Sequence, residues 1–301
     1  MAELGHGDGA QLHGRSGRRG LQDDRPERRG LLPPAGAELG LPQAPAPRGT
    51  TERRATVSKA DDLQNDLVTA STIIEWEFGD IIGHVGVRLP NDEGIAVKML
   101  RAPQLPGAEN WMMQFDMDGN KLSGDGTVPG EAAIYTRIFR AKPEVNAIVH
   151  AHANMCIVLG LAGVPIEGVH LASAKFGEGL PVYPVPTYVS DDEDGDAIAR
   201  TLGDAPGLTI NGHGIVTVGK SIDEACFTAV HMERTAKIIQ AARMLGFDQV
   251  DGAFREEMAG NARKMSQRQA SINRPKVEHS DDWRYYTRKL ERGEPWNRGW
   301  T

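Results

Sequence analysis

Three histidines and one glutamate carry the chemistry that this sequence can perform. In Ala147-Ile-Val-His-Ala-His152 two histidines stand two residues apart in an apolar run. Strand side chains alternate faces, so a strand here points His150 and His152 the same way, close enough to share one metal ion. A His-x-His pair can equally sit in an ordinary strand. His213 adds weight, because flanking glycines in Asn211-Gly-His-Gly214 permit a tight turn that holds the ring away from the backbone. Glu131 precedes the His-x-His strand at the start of a helix, from which its carboxylate can swing toward the histidines. Taken singly, Glu131 reads as a first-turn acid favoured by the helix dipole and His213 as a turn residue bonded to backbone. Taken jointly, the four residues read as a metal site.

The elements that must position these residues alternate along the chain. Asp61 to Phe78 has an amphipathic apolar pattern and predicts a helix. His84–Leu89, Ile95–Leu100 and Trp111–Met117 predict strands, the last ending at the Asp118-Gly119 turn. A helix is expected over Pro129–Ala141, a strand over Asn146–Ala153, and a short helix capped by Asn154 up to Leu161. Pro181–Pro186 reads as extended and Asp191–Leu202 as a helix with an acidic start. Leu208–Val218 reads as a strand interrupted by Asn-Gly-His-Gly. Ser221–Leu245 is the clearest helix, with a Ser221/Glu224 capping box and Gly246 as its stop. This order predicts an α/β domain of three layers, α/β/α, around a mixed central sheet.

Glu131, the His150-x-His152 strand and the Asn211-Gly-His213-Gly214 turn resemble the motifs of the class II aldolase/adducin family, over roughly Asp61 to Phe247. The resemblance implies His150, His152 and His213 as ligands of a divalent metal, zinc first and manganese, iron or cobalt as alternatives. It implies Glu131 as the proton-transfer residue, and a homotetramer with active sites at subunit boundaries. Three neutral imidazoles leave an open position on such an ion, where a substrate oxygen can bind and an enolate be stabilised.

Departures from the aldolase pattern point to the substrate. Sugar-phosphate aldolases of this family hold phosphate with a Gly-Asn-x-Ser loop and a pair of serines before the glutamate. Here Gly83-His84-Val85-Gly86 and Pro129-Gly130 stand in those places. The Gly-His-Val-x-Val-Arg form resembles the decarboxylase-like branch, in which His84 and Arg88 are candidates to meet a substrate carboxylate; Arg88 also reads as a structural arginine at a strand edge. The preferred expectation is a metal-dependent decarboxylase of a non-phosphorylated hydroxy-aromatic or 2-oxo carboxylate. An aldolase acting on a small sugar or hydroxy-keto acid is second. An Fe(II) oxygenase of the same fold and a non-catalytic adducin-like interaction module follow.

Composition bounds the remaining classes. The 301 residues carry a net charge of −7, which argues against a general nucleic-acid binder, and no apolar stretch reaches the roughly 20 residues of a membrane span. Two cysteines, Cys156 and Cys226, exclude a disulfide framework and suit a reducing cytoplasm. Residues 1–56 are rich in Arg, Gly and Pro and contain no Ile, Val, Phe, Trp or Tyr, so they are expected to be disordered or to reflect a start assigned too far upstream. A catalytic domain is expected over 57–250, and a helical extension rich in Trp and Tyr over 251–301, packing on its own domain. Gly214 to Ser221 satisfies the P-loop expression, but its β-branched interior reads as a strand. Cys156 reads as a small buried hydrophobe rather than a fourth ligand, and His170 and His231 as structural residues.

Overall fold

A computed structural model of the chain describes residues 59–100, 112–124, 127–248, 250–271 and 279–293. The segment 1–56, Trp111, Trp296 and Trp300 lie outside the described residues. Eight strands form one sheet: β1 (His84–Arg88), β2 (Ile95–Met99), β3 (Met112–Phe115), β4 (Lys121–Ser123), β5 (Ala147–Ala151), β6 (Val182–Tyr183), β7 (Gly207–Ile210) and β8 (Gly214–Gly219). Their order is β4-β3-β2-β1-β5-β8-β7-β6, antiparallel throughout except for the parallel β6–β7 edge.

Helices cover both faces, giving the three-layer arrangement expected. On one face α1 (Lys59–Phe78), α3 (Asn154–Leu161), α5 (Ile222–Met244) and α7 (Asp281–Glu291) bury a core with Val85, Val149 and Ile215. On the other, α2 (Ala132–Ala141) and α4 (Asp192–Leu202) pack on Val97, Ile148 and Val216. Alternation along β5 sends Val149 to the first layer and Ile148 to the second. His150 shares the parity of Ile148 and therefore faces the layer of α2, whose first turn follows Glu131. Helix α6 (Gly252–Ser271) buries Met258 against Gly168, and α7 buries Trp283 and Tyr286 in the first-layer core. The described part of the C-terminal extension thus packs on the domain.

Several local expectations shift for identifiable reasons. The stretch 208–218 is two strands joined by a hairpin over Asn211–His213, with Gly212 at φ 69°. The P-loop-like stretch is β8 followed by Ser221, the N-cap of α5, so no phosphate-wrapping loop exists there. Helix α2 starts at Ala132, which makes Glu131 its N-cap, yet the carboxylate makes no capping bond. Asn154 does not cap α3; Ala153 holds that position, and Glu233 of α5 instead accepts from Met155 N (3.0 Å) and Cys156 N (3.2 Å). A helix start needs acceptors for its free N–H groups, and tertiary packing supplies them here.

Candidate metal centre

The sheet brings the four residues of the expected site together. His150 is the penultimate residue of β5 in the middle of the sheet, His152 follows just beyond the strand, and His213 closes the β7–β8 hairpin. One ring nitrogen from each lies within 4.8 Å of the other two. Ring centroids are 5.1 Å apart for His150–His152, 5.0 Å for His150–His213 and 5.2 Å for His152–His213. Glu131 reaches in from the start of α2, with an oxygen 3.2 Å from His150 Nε2 and another 3.5 Å from His213 Nε2.

Each imidazole is oriented by an acceptor at its other nitrogen. His150 Nδ1 lies 3.0 Å from the Ile215 carbonyl, His213 Nδ1 2.7 Å from the Thr187 carbonyl, and His152 Nδ1 3.1 Å from Asp80 Oδ2. Carbonyl and carboxylate oxygens only accept, so all three rings donate through Nδ1–H and, when neutral, present Nε2 lone pairs to a common point. His150 Nε2 is buried and makes no hydrogen bond, although Glu131 faces it. Two acceptors pointed at one another in a buried site call for a cation between them. That arrangement, with three outward-anchored imidazoles, fits a divalent metal.

The electrostatics follow from burial and these contacts. Burial alone would raise Glu131, but the contact with His150 and the charges of His150, His213 and His84 outweigh it and hold the carboxyl at about 2. Burial would likewise raise Asp80, yet bonds from His152 and Ile82 keep it well below the usual carboxylate range. His152 is raised: burial opposes its charge, but Asp80 outweighs it. Burial and the neighbouring His150 push His213 down, and the same two causes take His84 to about 3. His84 is therefore a neutral ring at neutral pH.

Two contributors were not legible as site residues. Asp80 Oδ2 also accepts from the backbone N–H of His152 (2.7 Å), and its Oδ1 accepts from Ile82 N (3.0 Å). Its signal was faint: one acid set among Phe78, Ile81 and Ile82. The second is the segment Thr187–Val189, whose carbonyl at 187 orients His213 and whose N–H at 189 donates to Glu131 Oε1 (3.3 Å). It acts through backbone atoms, which leave no side-chain signature.

The expected substrate-binding pair separates. His84 pairs with His150 across β1–β5, the rings stacked at 5.7 Å, and it lines a cavity of about 710 Å³ with Glu131, His152 and His213. Arg88 sits four residues further along β1, about 13 Å away at strand rise. Its guanidinium donates to the carbonyls of Phe139 (2.7 Å), Val145 (3.2 Å) and Lys142 (3.3 Å) and pairs with Asp92. A cation placed on the last carbonyls of α2 acts as a structural cap, and this places the Arg88 guanidinium away from the histidine cluster. Cys156 is buried, which pushes its thiol well up, and it packs in the first-layer core on the far face from the cavity. His170 bonds Thr235 (3.2 Å) and His231 faces Asp282 (3.9 Å), both outside the cluster.

Comparison with known proteins decides the family. Residues 77–240 match the model of the class II aldolase and adducin N-terminal domain, more than half of the chain. The chain belongs to this family. A 3,4-dihydroxyphthalate decarboxylase of Arthrobacter keyseri is 28% identical over 174 residues, covering 52% of this chain and 68% of the relative. An L-fuculose phosphate aldolase of Haemophilus influenzae is 27% identical over 119 residues, covering 39% and 55%. An aldolase II superfamily protein from Pseudomonas syringae has a similar fold, with a TM-score of 0.61 at 18% identity over 77% of this chain and 93% of that one. Class II aldolases are metal-dependent, and the histidine triad of this family member can hold the ion.

Proposed function

We propose that the chain is a metal-dependent carbon–carbon lyase, first a decarboxylase of a non-phosphorylated hydroxy-aromatic or 2-oxo carboxylate. One observation carries the reading. Glu131, His152 and His213 line a cavity that has no lysine or arginine among its described lining residues and is walled by Val97, Met99, Met113 and Val128, and the buried His150 completes the histidine triad. A phosphate is best held by cationic donors, whereas a ring rests well on apolar walls. Similarity to 3,4-dihydroxyphthalate decarboxylases points the same way.

His150, His152 and His213 would hold the ion, their Nδ1 atoms being engaged elsewhere. When bound, a divalent metal supplies the positive charge that stabilises the electron pair left as a carbon–carbon bond breaks. The carboxylate departs as carbon dioxide, its bonding pair stays on carbon, and one proton takes its place. Glu131, ionised at neutral pH, relays that proton from a substrate hydroxyl or solvent to the carbon. His84 offers the substrate a neutral ring beside His150. Zinc is the first choice of metal, because an all-imidazole set with one open position suits it, with manganese, iron or cobalt behind. We further infer a cytoplasmic homotetramer.

The relatives that cleave L-fuculose phosphate support a second reading, an aldolase acting on a small sugar or hydroxy-keto acid. Metal-loaded protein is to be incubated separately with 3,4-dihydroxyphthalate, a panel of 2-oxo acids and L-fuculose 1-phosphate, following carbon dioxide, aldehyde and oxygen. Carbon dioxide release that is lost in Glu131→Gln supports the decarboxylase. Aldehyde without carbon dioxide moves the aldolase ahead, and oxygen uptake during turnover moves the oxygenase ahead.

A further inference from the structure

Tyr188 stands between two residues of the metal centre without joining it. Its neighbours are both tied down: Thr187 O accepts from His213 Nδ1 at 2.7 Å, and Val189 N donates to Glu131 Oε1 at 3.3 Å. Val189 is also buried in the second-layer core. The backbone at 188 is thereby fixed, yet the side chain is 61% exposed and makes no hydrogen bond with any described residue. A tyrosine gains most when its ring is covered and its hydroxyl paired, and this one has neither.

Its position gives the missing partner. The ring lines the same cavity as Glu131, His152 and His213, and it also borders a shallower depression over Gly212 and His213. The hydroxyl lies over Gly130, where a methyl group would overlap it. Gly130 thus leaves room for a phenol immediately before the glutamate. The same cavity is walled by Val97, Met99, Met113 and Val128. A ligand there meets apolar walls, the histidines and glutamate of the candidate metal centre, and the phenol of Tyr188.

We propose that Tyr188 contacts the substrate, donating its hydroxyl to an oxygen of a planar hydroxylated aromatic carboxylate, with Gly130 as the residue that admits it. The inference rests on the proposed decarboxylase reading for the class of substrate. Its test uses zinc-loaded full-length protein, calorimetry with 3,4-dihydroxybenzoate as probe, and inorganic phosphate as control. Tyr188→Phe is expected to weaken probe binding about fivefold and Tyr188→Ala about tenfold, as for loss of one hydrogen bond and then of ring contact. Gly130→Ala keeps the phenol but displaces it, and is expected to weaken binding about fivefold. That effect vanishes in the Tyr188→Ala background, because two changes acting on one contact do not add.

Circular dichroism and zinc content establish that each variant is folded and loaded. Equal affinity in wild type, Tyr188→Phe and Tyr188→Ala overturns the proposal. So does additivity of Gly130→Ala and Tyr188→Ala, phosphate binding as tightly as the probe, or a change in oligomeric state with no change in binding, which would make Tyr188 a contact between copies. Probe binding that depends on Tyr188, with no carbon dioxide from any carboxylate, keeps this proposal and rejects the decarboxylase. Carbon dioxide release at unchanged KM in both Tyr188 variants does the reverse, and failure of the wild type to bind the probe overturns the Tyr188 proposal alone, the decarboxylase being decided by carbon dioxide release.

Discussion

Two polar clusters of this chain are built on opposite principles. On the first-layer face, Glu77 of α1, Arg234 of α5 and Tyr286 of α7 satisfy one another: Arg234 donates to Glu77 (2.8 Å) and to Tyr286, and the Tyr286 hydroxyl donates to Glu77 (2.5 Å). Donors and acceptors balance, and the cluster bolts three helices together. At the candidate metal centre, the Nδ1 atoms of three histidines are satisfied while their Nε2 atoms face inward toward Glu131, an acceptor held there by Val189 N. A balanced cluster stabilises a fold. An unbalanced one, buried and held open by its own supports, marks a place for something the chain does not supply.

The comparison breaks most sharply at His150. His150→Ala is expected to abolish stoichiometric metal binding, read by elemental analysis of chelator-free protein, and activity with it. If the variant keeps its metal, the cluster is a structural one like its counterpart. Glu131→Gln is expected to keep the metal and lower turnover by a factor on the order of 10²–10⁴, the usual worth of a positioned acid or base. Asp80→Asn removes the charged acceptor behind His152 and should weaken metal binding about 10–100-fold in a chelator competition, with the fold intact.

The helix-side region is sharpened by stability rather than by metal content. His231 faces Asp282 at 3.9 Å, and burial together with the positive charges of Lys175, Arg234 and His170 lowers it from 6.5 to about 4. The folded state thus binds fewer protons than the unfolded chain between those values. Stability is therefore complete above about pH 6.5 and falls as pH drops toward 4. His231→Gln should flatten that fall by about 1–2 kcal/mol, allowing for its remaining exposure, in urea titrations at several pH values. Smallest of all, Tyr286→Phe should cost about 1 kcal/mol, a few degrees in Tm, while leaving metal content untouched.

Much of the site was legible because its signals are short-range. Period-2 alternation puts His150 and His152 on one side of a strand, and an Asn-Gly turn explains why His213 is presented. The three-layer fold was legible for the same reason, since the alternation of helical and strand patterns restricts how layers can stack. Arg88 shows the limit. A Gly-His-Val-x-Val-Arg stretch gives no hint that its last residue turns to the end of α2, because that helix lies 44 residues away in the chain.

The sequence by itself determined which side chains can bind a metal, which element carries each, and that the phosphate-holding residues of sugar-phosphate aldolases are missing. Only the tertiary structure decided how they are armed. The oxygens of Ile215, Thr187 and Asp80 set which nitrogen each histidine offers, and Val189 N holds Glu131 toward them. Those supports are mostly backbone atoms brought in from distant strands and loops. Every residue carries the same N–H and C=O, so nothing in a residue's identity announces where its backbone will be used.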